Sequence, residues 1–157
     1  MKKNTEMLIY DMATKVRLYI ASKVSPKKVS DLTDRECLIL KLIGMKGSMS
    51  ISQIGSLCPS VSNSTISTTI TRLWKEKKLV EKKIFPENQR VTTVSLTEKG
   101  EHVIAEIRRK QSDVLANMTS SLKLSSDQID IFYRILENAI GFFDEALGLK
   151  FDNKNLN

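Results

Sequence analysis

The stretch from Val61 to Gly100, VSNSTISTTITRLWKEKKLVEKKIFPENQRVTTVSLTEKG, carries the side chains best placed to do chemistry with a partner. Ile66, Ile70 and Leu73 recur at helical spacing and mark one buried stripe. That leaves Ser64, Thr65, Ser67, Thr68, Thr71 and Arg72 on the outer faces, where a merely solvated helix would be expected to carry Asp or Glu. Hydroxyls donate and accept hydrogen bonds, threonine adds a methyl, and arginine brings a fixed fork of donors. These groups suit base edges in a DNA major groove. Between Ser62 and Arg90 seven basic residues stand against three acidic ones, cations suited to the neighbouring phosphates.

Reaction chemistry finds no comparable cluster. His102 is the only histidine and lies on a polar helix face with Glu106 as a lone carboxylate four residues on. Cys37 sits in the apolar run Cys37-Leu38-Ile39-Leu40 and reads as a small core residue. Cys58 precedes Pro59 at the end of a short helix, where redox sensing is the alternative to a structural role. Two cysteines cannot hold a metal by themselves, and there is no nucleophile-elbow or phosphate-loop glycine pattern. An enzyme, a bound metal and a cofactor are therefore not expected.

The whole chain agrees with a nucleic-acid partner. Its 157 residues carry 25 Lys and Arg against 18 Asp and Glu, a net charge of +7, and 41% of them are hydrophobic. The isoelectric point near 9.4 favours polyanions, and the mean hydropathy of −0.20 describes a globular protein. The start MKKNTEMLIYDMATK lacks a sustained apolar core, so no signal peptide, no membrane partner and a cytoplasmic location are expected.

Capping signals divide the chain into the elements that position the hydroxyl face. Thr33-Asp34-Arg35-Glu36 is a capping box for a helix carrying Leu38, Ile39, Leu42 and Ile43, closed by Gly44 and Gly47. Ser50 to Gln53 repeats the box before a short helix with Ile51, Ile54 and Leu57 inward. The turn Cys58-Pro59-Ser60-Val61 leads to Ser62, which caps the hydroxyl-rich helix, giving a helix-turn-helix. Two strands follow at about 80–84 and 91–96, with 85–89 as their loop, and Thr97 caps a long helix carrying Ile104, Ile107, Leu115 and Met118. A third box at Ser125 to Gln128 opens a last helix with two apolar faces, one through Phe132, Leu136, Ile140 and Phe143 and another through Ile131, Ile135 and Phe142. With Ile9, Met12, Val16 and Ile20 near the N-terminus, this is more apolar surface than one small domain covers, which points to a partner chain.

This order of parts resembles the MarR family of transcription regulators along nearly the whole chain. The matching strings are LTDRECLILKLI, SISQIGSL, the hydroxyl-rich helix, KLVEKK, a wing ending in an arginine, and Ser95-Leu96-Thr97-Glu98-Lys99-Gly100, close to the family's most recognisable string. The resemblance implies a mostly α fold with a small β wing: a winged helix-turn-helix with N- and C-terminal dimerisation helices. It implies a homodimer on pseudo-palindromic double-stranded DNA, usually a repressor, released in many members by a small aromatic or anionic effector. Carried over residue by residue, Ser62, Ser64, Thr65, Ser67, Thr68 and Thr71 would enter the major groove. Arg72 would reach phosphate or a base, Lys75 and Lys83 would meet phosphates, and Gln89 and Arg90 would lie in the wing, Arg90 in the minor groove. Three departures stand out. Asn88 and Gln89 replace the family's usual Asp and basic residue; Lys77 and Lys78 occupy a corner that usually holds glycine; and Leu73 to Leu79 is one residue longer than usual.

The expected organisation is a dimerisation helix in 1–30, the DNA-binding domain in 31–98, dimerisation helices in 99–150 and a flexible tail in 151–157. The expected function is a ligand-responsive, DNA-binding repressor. Two alternatives are a winged-helix protein-interaction module and a non-specific architectural DNA binder, the latter favoured by the shortage of long base-reading side chains.

Overall fold

The computed structural model describes residues 4–149, without the side chains of Phe85, Asn88, Gln89 and Arg90. Among them run α1 (Thr5–Lys23), α2 (Pro26–Ser30), α3 (Asp34–Lys46), β1 (Ser48–Ser50), α4 (Ile51–Leu57), α5 (Asn63–Lys75), β2 (Val80–Phe85), β3 (Asn88–Leu96), α6 (Glu98–Ser121) and α7 (Ser126–Ala146). The strands form one antiparallel sheet in the order β1-β3-β2.

Side-chain caps start the helices where the sequence signals place them. Thr33, Ser50 and Ser125 each complete a reciprocal box with Glu36, Gln53 and Gln128. Ser62 accepts from the Thr65 amide and Thr97 from the Gly100 amide. Each such bond satisfies a donor that the first helical turn would otherwise orphan. Val61 N donates to the Cys58 carbonyl at 2.9 Å, closing the tight turn between α4 and α5.

Two expectations are corrected. Gly44 does not close α3 but lies inside it; Gly47 alone ends the helix, with φ 86°. The helix turns Glu36, Cys37, Ile39, Leu40 and Ile43 into the core and leaves Leu38 exposed. The wing strands are longer than their β-branched runs: Phe85 pairs with Asn88 beyond a register shift after Ile84, so the loop shrinks to Pro86 and Glu87. Backbone N–H and C=O groups make that ladder, so it outlasts the side-chain pattern. Two short elements, α2 and β1, were not expected. β1 pairs Met49 with Val94 and buries both side chains.

One core joins α3, α4, α5, the sheet and the first turns of α6, built on Leu40, Ile43, Ile54, Ile66, Ile70, Leu73, Val94 and Ile107. Beyond Ile107, α6 buries nothing further, and α1 and α7 contain no buried residue at all. Residues 151–157, expected as a tail, lie outside the described residues.

Candidate nucleic-acid interface

Helix α5 holds its core side with Ile66, Thr69, Ile70 and Leu73 and contains no acidic residue. Its outward stripe is Ser64, Thr68 and Lys75, all exposed. On one shoulder lie Thr65 and Arg72. Arg72 is half-exposed and leans away from the stripe, with Nη2 3.6 Å from Glu36 Oε1 and Nε 3.8 Å from Glu76 Oε2. On the other shoulder lie Ser67 and Thr71, both half-buried, beside the wing. Ser62 is exposed at the N-cap, its hydroxyl 3.1 Å from that of Ser64 and 2.8 Å from that of Thr65.

The threonine hydroxyls are already engaged. Thr68 Oγ1 donates to the Ser64 carbonyl at 2.9 Å and Thr71 Oγ1 to the Ser67 carbonyl at 3.0 Å. With the proton directed into the helix, each threonine presents a methyl and acceptor lone pairs. That combination suits thymine methyls and the exocyclic amines of adenine or cytosine.

The end of α5 is fixed by the string that follows the wing. Lys77 N donates to the Arg72 carbonyl and Leu79 N to the Leu73 carbonyl, reaching five and six residues back instead of four. The chain turns this corner through Lys78 at φ 59°, in the left-handed region where glycine would be easier. Thr97 Oγ1 donates to the Lys78 carbonyl at 2.8 Å, and Lys99 Nζ to the Lys77 carbonyl at 3.0 Å. Gly100 completes the lock, because a Cβ there would collide with the Leu79 carbonyl oxygen. Lys77 itself pairs with Asp31, 3.5 Å from Oδ2.

Strand alternation sorts the wing lysines. Lys82 shares the face of buried Val80 and reaches α5, with Nζ 3.5 Å from Thr71 Oγ1 and 4.8 Å from the Trp74 ring centroid. Lys83 is exposed on the opposite face, 3.4 Å from Glu81 Oε1. Lys75 lies 5.4 Å from the Trp74 centroid. The structure thus brings Ser62, Ser64, Thr65, Ser67, Thr68, Thr71, Arg72 and Lys75 onto one helix, with Lys83 apart on the wing. Gln89 and Arg90 stand on β3 next to the hairpin turn, with side chains outside the described residues. Sequence reasoning missed Trp74 and Lys82. Counting in twos from buried Val80 would have put Lys82 on the helix side.

Two cavities flank this domain. One of about 740 Å³ is largely apolar and lies among α1, α6 and α7, lined by Met12, Val16, Leu115, Met118 and Phe132. The other, of about 510 Å³, lies between α1, α3 and α6 and presents Arg17 and Lys41 beside Leu38. Cys37 also lines it, and burial pushes its thiol above the ordinary value, Lys41 acting against that rise and Asp34 with it. A raised thiol stays protonated near neutrality and is a poor nucleophile. Among the described residues no group of His, Cys, Asp and Glu could hold a metal ion, and no helix is long and apolar enough to cross a membrane.

Residues 32–100 match the family of winged helix DNA-binding domains. No curated protein matches the chain. Among solved structures, a MarR family protein from Bacillus stearothermophilus is 20% identical with a TM-score of 0.70, the match covering 88% of this chain and 92% of that one. Apo MarR from E. coli is 18% identical with a TM-score of 0.67, over 88% and 98%. BpsR of Bordetella bronchiseptica, whose DNA binding is regulated by 6-hydroxynicotinic acid, is 17% identical with a TM-score of 0.56, over 87% and 98%. Residues 32–100 are thus a winged helix domain, and the fold of the chain is similar to that of the MarR structures.

Proposed function

We propose that the protein is a DNA-binding transcription regulator that acts as a homodimer on a pseudo-palindromic operator, in the manner of a ligand-responsive repressor. The observation that carries this reading is the outward stripe of α5, hydroxyls and a lysine with no acidic residue anywhere on the helix. Ser62, Ser64, Thr65, Ser67, Thr68 and Thr71 read base edges, with specificity resting on threonine methyls more than on long donors. Lys75 and Lys83 meet phosphates, while Gln89 and Arg90 enter the neighbouring minor groove. Arg72, held by Glu36 and Glu76, contacts the backbone from its shoulder of the helix.

Residues 1–30 and 99–150 supply the dimer, since α1 and α7 leave Leu8, Ile9, Met12, Ile135, Ile140 and Phe143 exposed in the single chain. A small aromatic or anionic effector fits the cavity between α1, α3 and α6, where Arg17 and Lys41 offer positive charge beside apolar walls. A gel shift against the chain's own upstream DNA, with random competitor and titrated salt, tests the function. A shift that survives competitor supports a specific regulator; equal competition by random DNA would make the protein an architectural binder, and no shift at low salt would overturn DNA binding.

A further inference from the structure

Trp74 is the single tryptophan of the chain and stands at the end of α5 with 37% of its surface exposed. Two ammonium groups lie near its ring, Lys82 Nζ at 4.8 Å and Lys75 Nζ at 5.4 Å from the centroid, both within cation–π range. Lys82 also reaches Thr71 Oγ1 on the helix face read above as base-contacting. Among the described residues neither ammonium has a carboxylate partner within ion-pair distance, in contrast to Lys77 with Asp31 and Lys83 with Glu81. Two unpaired cations beside one ring repel each other, and a neighbouring anion lowers that cost. Both cations lie where the end of α5 meets the first wing strand. A helix seated in a major groove and a hairpin in the adjacent minor groove would straddle one phosphate strand, which would then cross the junction of helix and hairpin.

We propose that Lys82 and Lys75 form a phosphate-binding notch for the DNA strand between the two grooves, with Trp74 as the positioning residue that holds both cations. This rests on the DNA-binding reading above and adds to it two residues, Trp74 and Lys82. Lys82, fixed between an indole and a threonine, is the wing lysine joined to the recognition helix; Lys83 points to the other side of the sheet.

The test is fluorescence anisotropy of the full-length protein with a labelled mixed-sequence duplex of about 30 base pairs, titrated across a range of KCl concentrations that spans roughly 50 to 200 mM. Lys82→Ala should flatten the log–log salt slope by about 0.9 per protomer, about 1.8 for the dimer, and weaken binding roughly tenfold per protomer near 0.1 M salt, the signature of one lost phosphate contact in each half-site. Lys82→Arg should restore most of the slope. Trp74→Leu should flatten the slope toward that of Lys82→Ala, Trp74→Phe should retain it, and Trp74→Leu combined with Lys82→Ala should be no flatter than Lys82→Ala alone. Thermal melts confirm that each variant is folded, and Lys82→Ala, a change at a strand surface, keeps the test decisive if Trp74→Leu does not fold. A wild-type slope in Lys82→Ala would overturn the notch while leaving DNA binding standing. A wild-type slope in folded Trp74→Leu would overturn the positioning role. Absence of wild-type binding at the lowest salt would instead defeat the DNA-binding reading itself.

Discussion

Glu36 joins two tasks in one carboxylate. Oε2 accepts from Thr33 N at 2.8 Å and Thr33 Oγ1 at 3.1 Å, closing the cap of α3, while Oε1 is buried without a hydrogen bond and faces only Arg72. Arg72 is half in water, so screening lowers the worth of the ion pair, yet the carboxylate is almost fully buried and depends on it. Glu36→Ala should lower stability by about 1 to 3 kcal/mol, adding a lost cap to a lost pair. Glu36→Gln should cost less, because its amide oxygen can keep the cap. Urea midpoints at constant slope measure both, and an unchanged midpoint for Glu36→Ala would show that the pair contributes nothing. On the outward stripe, Thr68→Ala removes a methyl and acceptor while leaving charge alone. It should reduce preference for operator over random DNA by about 1 to 3 kcal/mol per half-site with the salt slope intact, whereas Lys75→Ala should weaken both DNAs alike and flatten the slope by about one unit per protomer. Identical behaviour of the two variants in competition titrations would remove Thr68 from base reading.

The corner between α5 and β2 shows which parts of an element are legible from sequence. Helix starts were, because a cap involves residues three apart, and the Ile66, Ile70, Leu73 stripe was, because periodicity is local. The Glu36–Arg72 pair and the Trp74–Lys82 contact were not, because each spans two elements whose relative placement no local pattern encodes. The three-residue β1 was hidden for the same reason: its only warrant is an open edge on β3. Lys78 was legible as a conflict, a residue without glycine's freedom at a corner that needs it, and the structure meets the conflict by accepting φ 59°. A left-handed lysine carries strain, so Lys78→Gly should leave stability unchanged or raise it by up to about 1 kcal/mol, the relief partly offset by the looser unfolded chain. Gly100→Ala should do the reverse and cost about 1 to 3 kcal/mol, because the Leu79 carbonyl has to move and the Thr97 and Lys99 bonds to the same corner loosen with it. Equal thermal midpoints for wild type and Gly100→Ala would show that the lock is slack.

The chain as a whole exposes 11881 Å², where a compact monomer of this mass exposes roughly 8000 Å². Its exposed large apolar side chains gather on two elements: Met7, Leu8, Ile9, Tyr10 and Met12 on α1, and Ile129, Ile135, Ile140, Phe142 and Phe143 on α7. Helix α7 therefore has no core of its own to fold onto, and capping alone holds a 21-residue helix poorly in water. A second copy related by a two-fold axis would present the same faces in return and cover both. Each buried Phe or Ile contributes roughly 1.5 to 3 kcal/mol, so a few from each chain suffice for nanomolar association. Folding and dimerisation then become one event, and the thermal midpoint should rise with protein concentration. Phe143→Glu discriminates sharply. On a monomer it alters an exposed site, 54% open, and should move stability by no more than about 0.5 kcal/mol. In the dimer it places a charge inside an apolar seam and should weaken association at least about a hundredfold, with helix content falling alongside. The same two-fold axis would set the two α5 helices about 34 to 36 Å apart, one DNA turn, so the operator half-sites should be spaced accordingly. A folded monomer in sedimentation equilibrium at micromolar concentration, with a melting temperature independent of dilution, would defeat the dimer and the palindromic operator together.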